Sequence, residues 1–170
     1  MQSQGFTRSM AAGNVMLRAV QPADLPALFA FESDPRWCEV AVVKPRSAEV
    51  FESVWADIFK AWATGDSSVM QRTILVDGEI CGLIGCRLLG DRHVVGYGLG
   101  QAYWGRGIAS RALELLLEQM PIRPLYATAA ASNAASIRVL IKHGFVIAET
   151  RTSAGTERFP AREEVSMVLV

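Results

Sequence analysis

The sequence predicts an α+β fold, with helices packed on a mostly antiparallel sheet that holds one parallel pair at its centre. Three observations predict it. Three β-rich runs, 69–76, 80–89 and 93–99, follow one another closely, and Asp77-Gly78 between the first two tolerates the positive φ of a tight antiparallel hairpin. A full helix separates the run 93–99 from the next strand, 125–130, so those two run parallel. Two amphipathic segments precede the meander, giving the order β-α-α-β-β-β-α-β-α-β-β, with about seven strands and four helices.

Each element follows from its residues. Residues 1–13 mix Gln, Ser, Gly and Ala without period and read as a flexible extension, leaving one domain over 14–170. Val15–Val20 is a strand. Gln21-Pro22-Ala23-Asp24 turns into a helix with Leu25, Leu28 and Phe29 on one face and Asp24 as its cap. Asp34-Pro35-Arg36-Trp37-Cys38 breaks that helix and leaves an aromatic residue in a loop. Val50, Phe51, Val54, Trp55, Ile58, Phe59 and Trp62 recur at helical spacing until Gly65, a stripe that burial alone selects. The helix from Gly107 to Met120 buries Ala112, Leu113 and Leu116 and stops at Pro121. A further helix runs from Ala134 to His143, and strands at 145–150 and 164–170 close the chain.

Composition excludes several classes of function. The 170 residues are 51% hydrophobic and 20% charged, enough for one sizeable core. Lys+Arg and Asp+Glu both total 17, so no net charge gathers nucleic acid or an anionic membrane. Cys38, Cys81 and Cys86 with two distant histidines match no zinc pattern, so no metal is expected. Cys81 and Cys86 have opposite parity along one strand and are expected on opposite faces of the sheet. No signal-peptide or membrane-spanning pattern is visible, which predicts a cytoplasmic protein, monomer or homodimer.

The most informative stretch is Tyr103-Trp104-Gly105-Arg106-Gly107-Ile108-Ala109-Ser110. Two glycines flank a cation just before a helix, so several backbone N–H groups converge where the helix dipole adds partial positive charge. This is a phosphate cradle. The strand before it places Val94, Gly96, Gly98 and Gly100 on one nearly bare face, and His93, Val95, Tyr97 and Leu99 on the other. Asn133 caps the helix that Ser136 then joins.

The element order, the Tyr103–Ala109 turn, Asn133-Ala134-Ala135-Ser136 and Gly144-Phe145 together resemble the GNAT acetyltransferases over residues 15–170, most closely the branch that acetylates ribosomal-protein N-termini. The resemblance implies a three-layer fold whose parallel strands splay. It also implies acetyl-CoA as co-substrate, with its pyrophosphate on Arg106, Gly107, Ile108, Ala109 and Ser110 and its pantetheine beside Leu99 and Asn133. In many relatives a tyrosine donates to the departing thiolate, and here, where the matching run has no Tyr, Ser136 is the candidate. The acceptor is an amine, a peptide N-terminus or a small molecule, near Trp37, Tyr97 and Gly98, with Phe31 and Phe159 as further lining. The missing side chain at Gly98 is expected to widen that pocket. Many relatives carry a glutamate base where this chain has Val94, and His93 substitutes only if a bulge turns it. That departure keeps a second class open, a catalytically silent acyl-CoA-binding domain, and a general nucleotide binder is a third.

Overall fold

The structure is a computed structural model that describes residues 12–170. The expected extension over 1–13 therefore falls mostly outside the described residues. Gly13 rests on the hairpin turn, where an added Cβ would stand 2.8 Å from Asp77 Oδ2.

Seven strands form one sheet: β1 Val15–Ala19, β2 Val69–Val76, β3 Glu79–Leu89, β4 Arg92–Leu99, β5 Leu125–Ala130, β6 Val146–Ser153 and β7 Arg162–Leu169, in the order β1-β2-β3-β4-β5-β7-β6. Every neighbouring pair is antiparallel except β4 and β5. The helices are α1 Leu25–Ser33, α2 Pro35–Ala41, α3 Ala48–Ala63, α4 Ile108–Gln119 and α5 Ala134–Lys142. Two cores lie on the two faces of the sheet. Ile108, Leu113 and Leu116 of α4 and Leu140 of α5 pack with Ile84, Val95 and Leu99 on one face. Leu28 of α1 and Phe51, Trp55 and Ile58 of α3 pack with Val69 and Leu83 on the other. The result is a three-layer α+β domain.

Three local expectations are corrected by the structure. There are five helices among the described residues, because the segment 34–38 does not remain a loop. Asp34 closes α1 and at once caps α2, its Oδ1 accepting from the Arg36 amide at 2.8 Å, with Pro35 at the first helical position where a missing N–H costs nothing. Trp37 is thus carried on a helix. Cys81 and Cys86 both lie in the same core cluster. The β2–β3 register passes from Ile74↔Gly82 to Leu75↔Ile80, so Cys81 is the extra residue of a bulge and changes face. Burial pushes both thiols up to about 11, so they stay protonated. Lastly, Asp24 stands at the N-cap position of α1, but its carboxylate accepts no bond from the amides of that helix.

Asp24 instead ties β1 to β2. It is 2% exposed, and its oxygens accept from Arg18 Nη1 at 2.6 Å, Arg18 Nη2 at 2.8 Å, the Gln21 amide at 2.9 Å and Thr73 Oγ1 at 2.7 Å. Four donors leave the buried charge satisfied. The Arg18 hydrogen bonds, more than the opposing effect of burial, hold this carboxyl down to about 2. A carboxyl lowered on folding adds stability above its unfolded value, and that stability is lost as pH falls from near 4 towards 2, here by about 2 kcal/mol. Asp24→Asn is therefore expected to lower the unfolding free energy in urea by roughly 2–4 kcal/mol at pH 7. The gap between wild type and variant should close by about 2 kcal/mol between pH 5 and pH 2; a gap independent of pH would rule out this role for the charge.

Candidate active site

The site begins where β4 leaves β5. The two strands are in register at His93↔Leu125, Val94↔Tyr126 and Val95↔Ala127 and nowhere beyond. From Thr128 on, β5 keeps only β7 as a partner, while β4 stays paired with β3 through Leu99. The edge of β4 from Gly96 to Leu99 thus faces a gap. Backbone polarity in that gap follows from the antiparallel alternation. The Gly100 amide donates to the Cys81 carbonyl at 2.9 Å, towards β3, so the amide and carbonyl of Leu99 point the other way, into the gap. The Leu99 carbonyl is taken by the Trp104 indole N–H at 2.9 Å, which leaves the Leu99 amide as an available donor.

One end of the gap meets the N-terminus of α4. Gly105 and Gly107 both have positive φ, 71° and 75°, and no atom lies within 4 Å of where their Cβ atoms would be. Here glycine is required by conformation, and the turn winds its amides to one side. No side chain caps α4, and the first intrahelical bond is Arg111 N–H to Gly107 C=O, so the amides of Ile108, Ala109 and Ser110 have no intrahelical acceptor. The Ser110 hydroxyl is 2.9 Å from His143 Nε2, so only its amide serves the cradle. Arg106 stands beside the ring of Tyr103, its guanidinium carbon 5.9 Å from the centroid. Its buried Nε has no hydrogen-bond partner. Free amides, a helix dipole and an unpartnered guanidinium N–H fit a pyrophosphate.

Across the gap stands the first turn of α5. Asn133 Oδ1 accepts from the Ser136 amide at 3.2 Å, the capping bond expected from sequence, which leaves the Asn133 amide N–H groups for a ligand. Tyr97 of β4 reaches over to the same turn. Its hydroxyl donates to the Ser136 carbonyl at 3.2 Å and lies 3.0 Å from Ser136 Oγ. Burial pushes the Tyr97 phenol up, only partly opposed by the Ser136 hydrogen bond, so it remains a neutral O–H donor. Sequence reading places Tyr97 with the acceptor and Ser136 with the thiolate; the structure joins the two through this contact.

On the opposite face of the sheet the gap opens into a cavity of about 810 Å³, whose lining includes Phe31, Trp37, Gly96, Tyr97, Gly98 and Phe159. Two expectations change here. Gly98 does not widen the cavity, because an added Cβ would stand 2.8 Å from the Trp37 indole; the glycine makes room for that ring, as Gly100 does for Phe31 at 2.6 Å. Gly96, with nothing within 4 Å, is the bare position. His93 is not brought to the cavity. It sits in the paired segment of β4, opposite Leu125, and lines a separate hollow with Met120 and Pro121. No bulge in the β3–β4 or β4–β5 register turns it. Val94, at the position of the missing carboxylate, does line the cavity.

Sequence reading missed the charged residues of this cavity. Glu32 of α1, Arg46 before α3, Arg87 of β3 and Arg158 between β6 and β7 all line it. Glu32 Oε1 lies 3.4 Å from Arg46 Nε and 3.6 Å from Arg158 Nη2. Burial raises the Glu32 carboxyl, with the two arginines opposing. Because these residues come from four distant segments, no local motif announces them; the one local signal is Arg87, a cation between Cys86 and Leu88 in a mostly apolar strand. No cluster of His, Cys, Asp and Glu able to hold a metal occurs among the described residues, and no helix there is long and apolar enough to cross a membrane.

Comparison with known proteins bears on this geometry. Among curated protein sequences, none matches the chain. Solved structures share the fold at low identity. The spermidine N-acetyltransferase of Vibrio cholerae, in complex with CoA and spermine, aligns at TM-score 0.72 and 14% identity over 91% of this chain and 94% of that one. RimJ of Mycobacterium smegmatis, in complex with CoA-disulfide, aligns at TM-score 0.73 and 21% identity over 93% and 82%. The Salmonella typhimurium acetyl transferase that modifies the N-terminal serine of ribosomal protein L7/L12 aligns at TM-score 0.73 and 17% identity over 95% and 98%. The family model described as the acetyltransferase (GNAT) domain matches residues 14–146, and the chain belongs to that family.

Proposed function

We propose that this acetyltransferase moves the acetyl group of acetyl-CoA directly to the neutral form of a low-pKa primary amine, a peptide N-terminus or a small-molecule amine, with both substrates bound together. The observation that carries the reading is the divergence of β4 and β5 after Val95↔Ala127, which joins an amide cradle at one end to a cavity on the opposite face. The CoA pyrophosphate lies on the amides of Ile108 to Ser110 beside Arg106, and its pantetheine runs along Gly96–Leu99 towards Asn133. The amine enters from the cavity past Gly96, beside the Trp37 ring that covers Gly98.

Positioning does most of the work, because the residue at the family's general-base position is Val94. An α-amine with a pKa near ~8 is neutral to a substantial extent at neutral pH, whereas a lysine amine near ~10.4 is neutral about one part in a thousand. The attacking nitrogen forms a bond to the thioester carbon as negative charge develops on the carbonyl oxygen. The Leu99 amide stabilises that charge from the gap. Collapse expels the thiolate, which takes a proton from Ser136 Oγ. The attacking nitrogen, cationic once its bond has formed, releases its extra proton through water back to Ser136 Oγ, so that serine and amide product both end neutral. Tyr97, bonded to Ser136 through both hydroxyl and carbonyl, holds that hydroxyl in place and resupplies its hydrogen bond.

Ser136→Ala is expected to lower kcat roughly 10- to 100-fold while CoA binding holds. Tyr97→Phe should lower kcat by a smaller factor, and the double variant should be no slower than Ser136→Ala alone, as for residues acting as one unit. Independent, multiplicative losses would break the link between them. Release of CoA thiol should also be faster with an unblocked peptide α-amine than with an N-blocked peptide bearing one lysine; the reverse order would refute base-free attack. Binding of acetyl-CoA with no thiol release for any amine would favour a silent acyl-CoA-binding domain.

A further inference from the structure

Charge in the acceptor cavity is unevenly divided. The whole chain balances 17 cationic against 17 anionic side chains, yet the cavity lining takes Lys44, Arg46, Arg87 and Arg158 against Glu32 and Glu157, four against two. Glu157 is exposed to solvent, as is Lys44. Around the half-buried part of the cavity the ratio is three arginines to one carboxylate.

That carboxylate does not satisfy them. Arg46 and Arg158 share a single oxygen, Glu32 Oε1, at 3.4 and 3.6 Å, and this buried oxygen accepts a hydrogen bond from neither. Arg158 spends one of its N–H groups on the Lys44 carbonyl, which fixes the loop before β7 against the one before α3. Arg87 forms no ion pair with any carboxylate among the described residues. Burial, and then the proximity of Arg46, make its charge harder to hold. Arg87 is also the cross-strand partner of Val94, so the position next to the missing glutamate carries a cation. Directly opposed residues on one face have Cβ atoms about 5 Å apart.

Like charges gathered in a half-dry cavity are costly unless an anion joins them. A guanidinium presents paired N–H groups that match a carboxylate or a phosphate. We infer that the acceptor is an amine carrying an oxyanion, a carboxylate or a phosphate, close to its reacting nitrogen, and that Arg87 with Arg46 and Arg158 binds that group. This rests on the proposed acyl transfer and specifies its substrate class. A polyamine, by contrast, would meet a net positive lining.

The test is CoA thiol release from the full chain with acetyl-CoA and matched acceptors. The peptide amides Ala-Asp-Ala and Ala-Lys-Ala form one pair, phosphoethanolamine and ethanolamine a second, and spermidine stands alone; the first two pairs separate a carboxylate source from a phosphate source. The acidic member of at least one pair should exceed its partner by roughly 10-fold or more in kcat/KM, the scale of one charge-assisted hydrogen bond. In Arg87→Gln, KM for that acceptor should rise about 10-fold while KM for acetyl-CoA holds. Arg87→Glu should invert the preference towards the lysine peptide or spermidine. The ratio of two acceptors within one variant does not depend on how much of it is folded. Equal or better use of spermidine, ethanolamine and Ala-Lys-Ala by the wild type, or a ratio unmoved in Arg87→Glu, overturns the inference and leaves acyl transfer standing. Bound acetyl-CoA with no thiol release from any acceptor overturns both.

Discussion

Everything at the site depends on one separation of backbone. β4 and β5 share three registered pairs and then part, each keeping its other neighbour, β3 for β4 and β7 for β5. Parting two strands inside a sheet exposes amides and carbonyls that would otherwise be paired, and buried unpaired groups of this kind are costly. The structure answers part of that cost with side chains: the Trp104 indole takes the Leu99 carbonyl, and Tyr97 ties β4 to the first turn of α5. The remaining backbone groups are those an extended ligand would pair with. In the proposed reaction, the strand edge that weakens the sheet is the surface that takes CoA.

The two faces of the sheet then divide the labour. The face under α4 and α5 carries the unpaired amides of the α4 N-terminus and Ser136, backbone dipoles that would suit the polyphosphate of the proposed co-substrate. The face under α1, α2 and α3 carries a cavity lined by Trp37, Phe31 and the arginines, side chains that would suit the proposed acceptor. Glycines at 96, 98 and 100 lie where the faces meet, but they do different things. Gly98 and Gly100 admit aromatic rings of α2 and α1, while Gly96 leaves the passage open.

Much of this was legible in the sequence, for local reasons. The Gly105-Arg106-Gly107 turn, the Asn133 cap and the Asp77-Gly78 hairpin are each set by the backbone preferences of a few adjacent residues. What stayed illegible was set by distance or register. Arg46, Arg87 and Arg158 lie more than forty residues apart along the chain and become neighbours only when the sheet and its loops are assembled. The bulge at Cys81 reverses side-chain parity, so counting alternate residues along β3 assigns the wrong face. Asp34-Pro35 was visible as a helix stop, yet the same two residues are also a start, and the difference placed Trp37 on a helix over Gly98. That residue 94 is a valine is plain in the sequence, but the arginine facing it across the strand pair needed the β3–β4 register.

The most direct test of the central claim is a crystal structure of the chain with CoA. The pyrophosphate is expected on the amides of Ile108, Ala109 and Ser110, the pantetheine in the gap along Gly96–Leu99, and the thiol beside Ser136 Oγ. CoA bound elsewhere, or a β4 closed against β5 beyond Val95 with the ligand outside the gap, would contradict that claim.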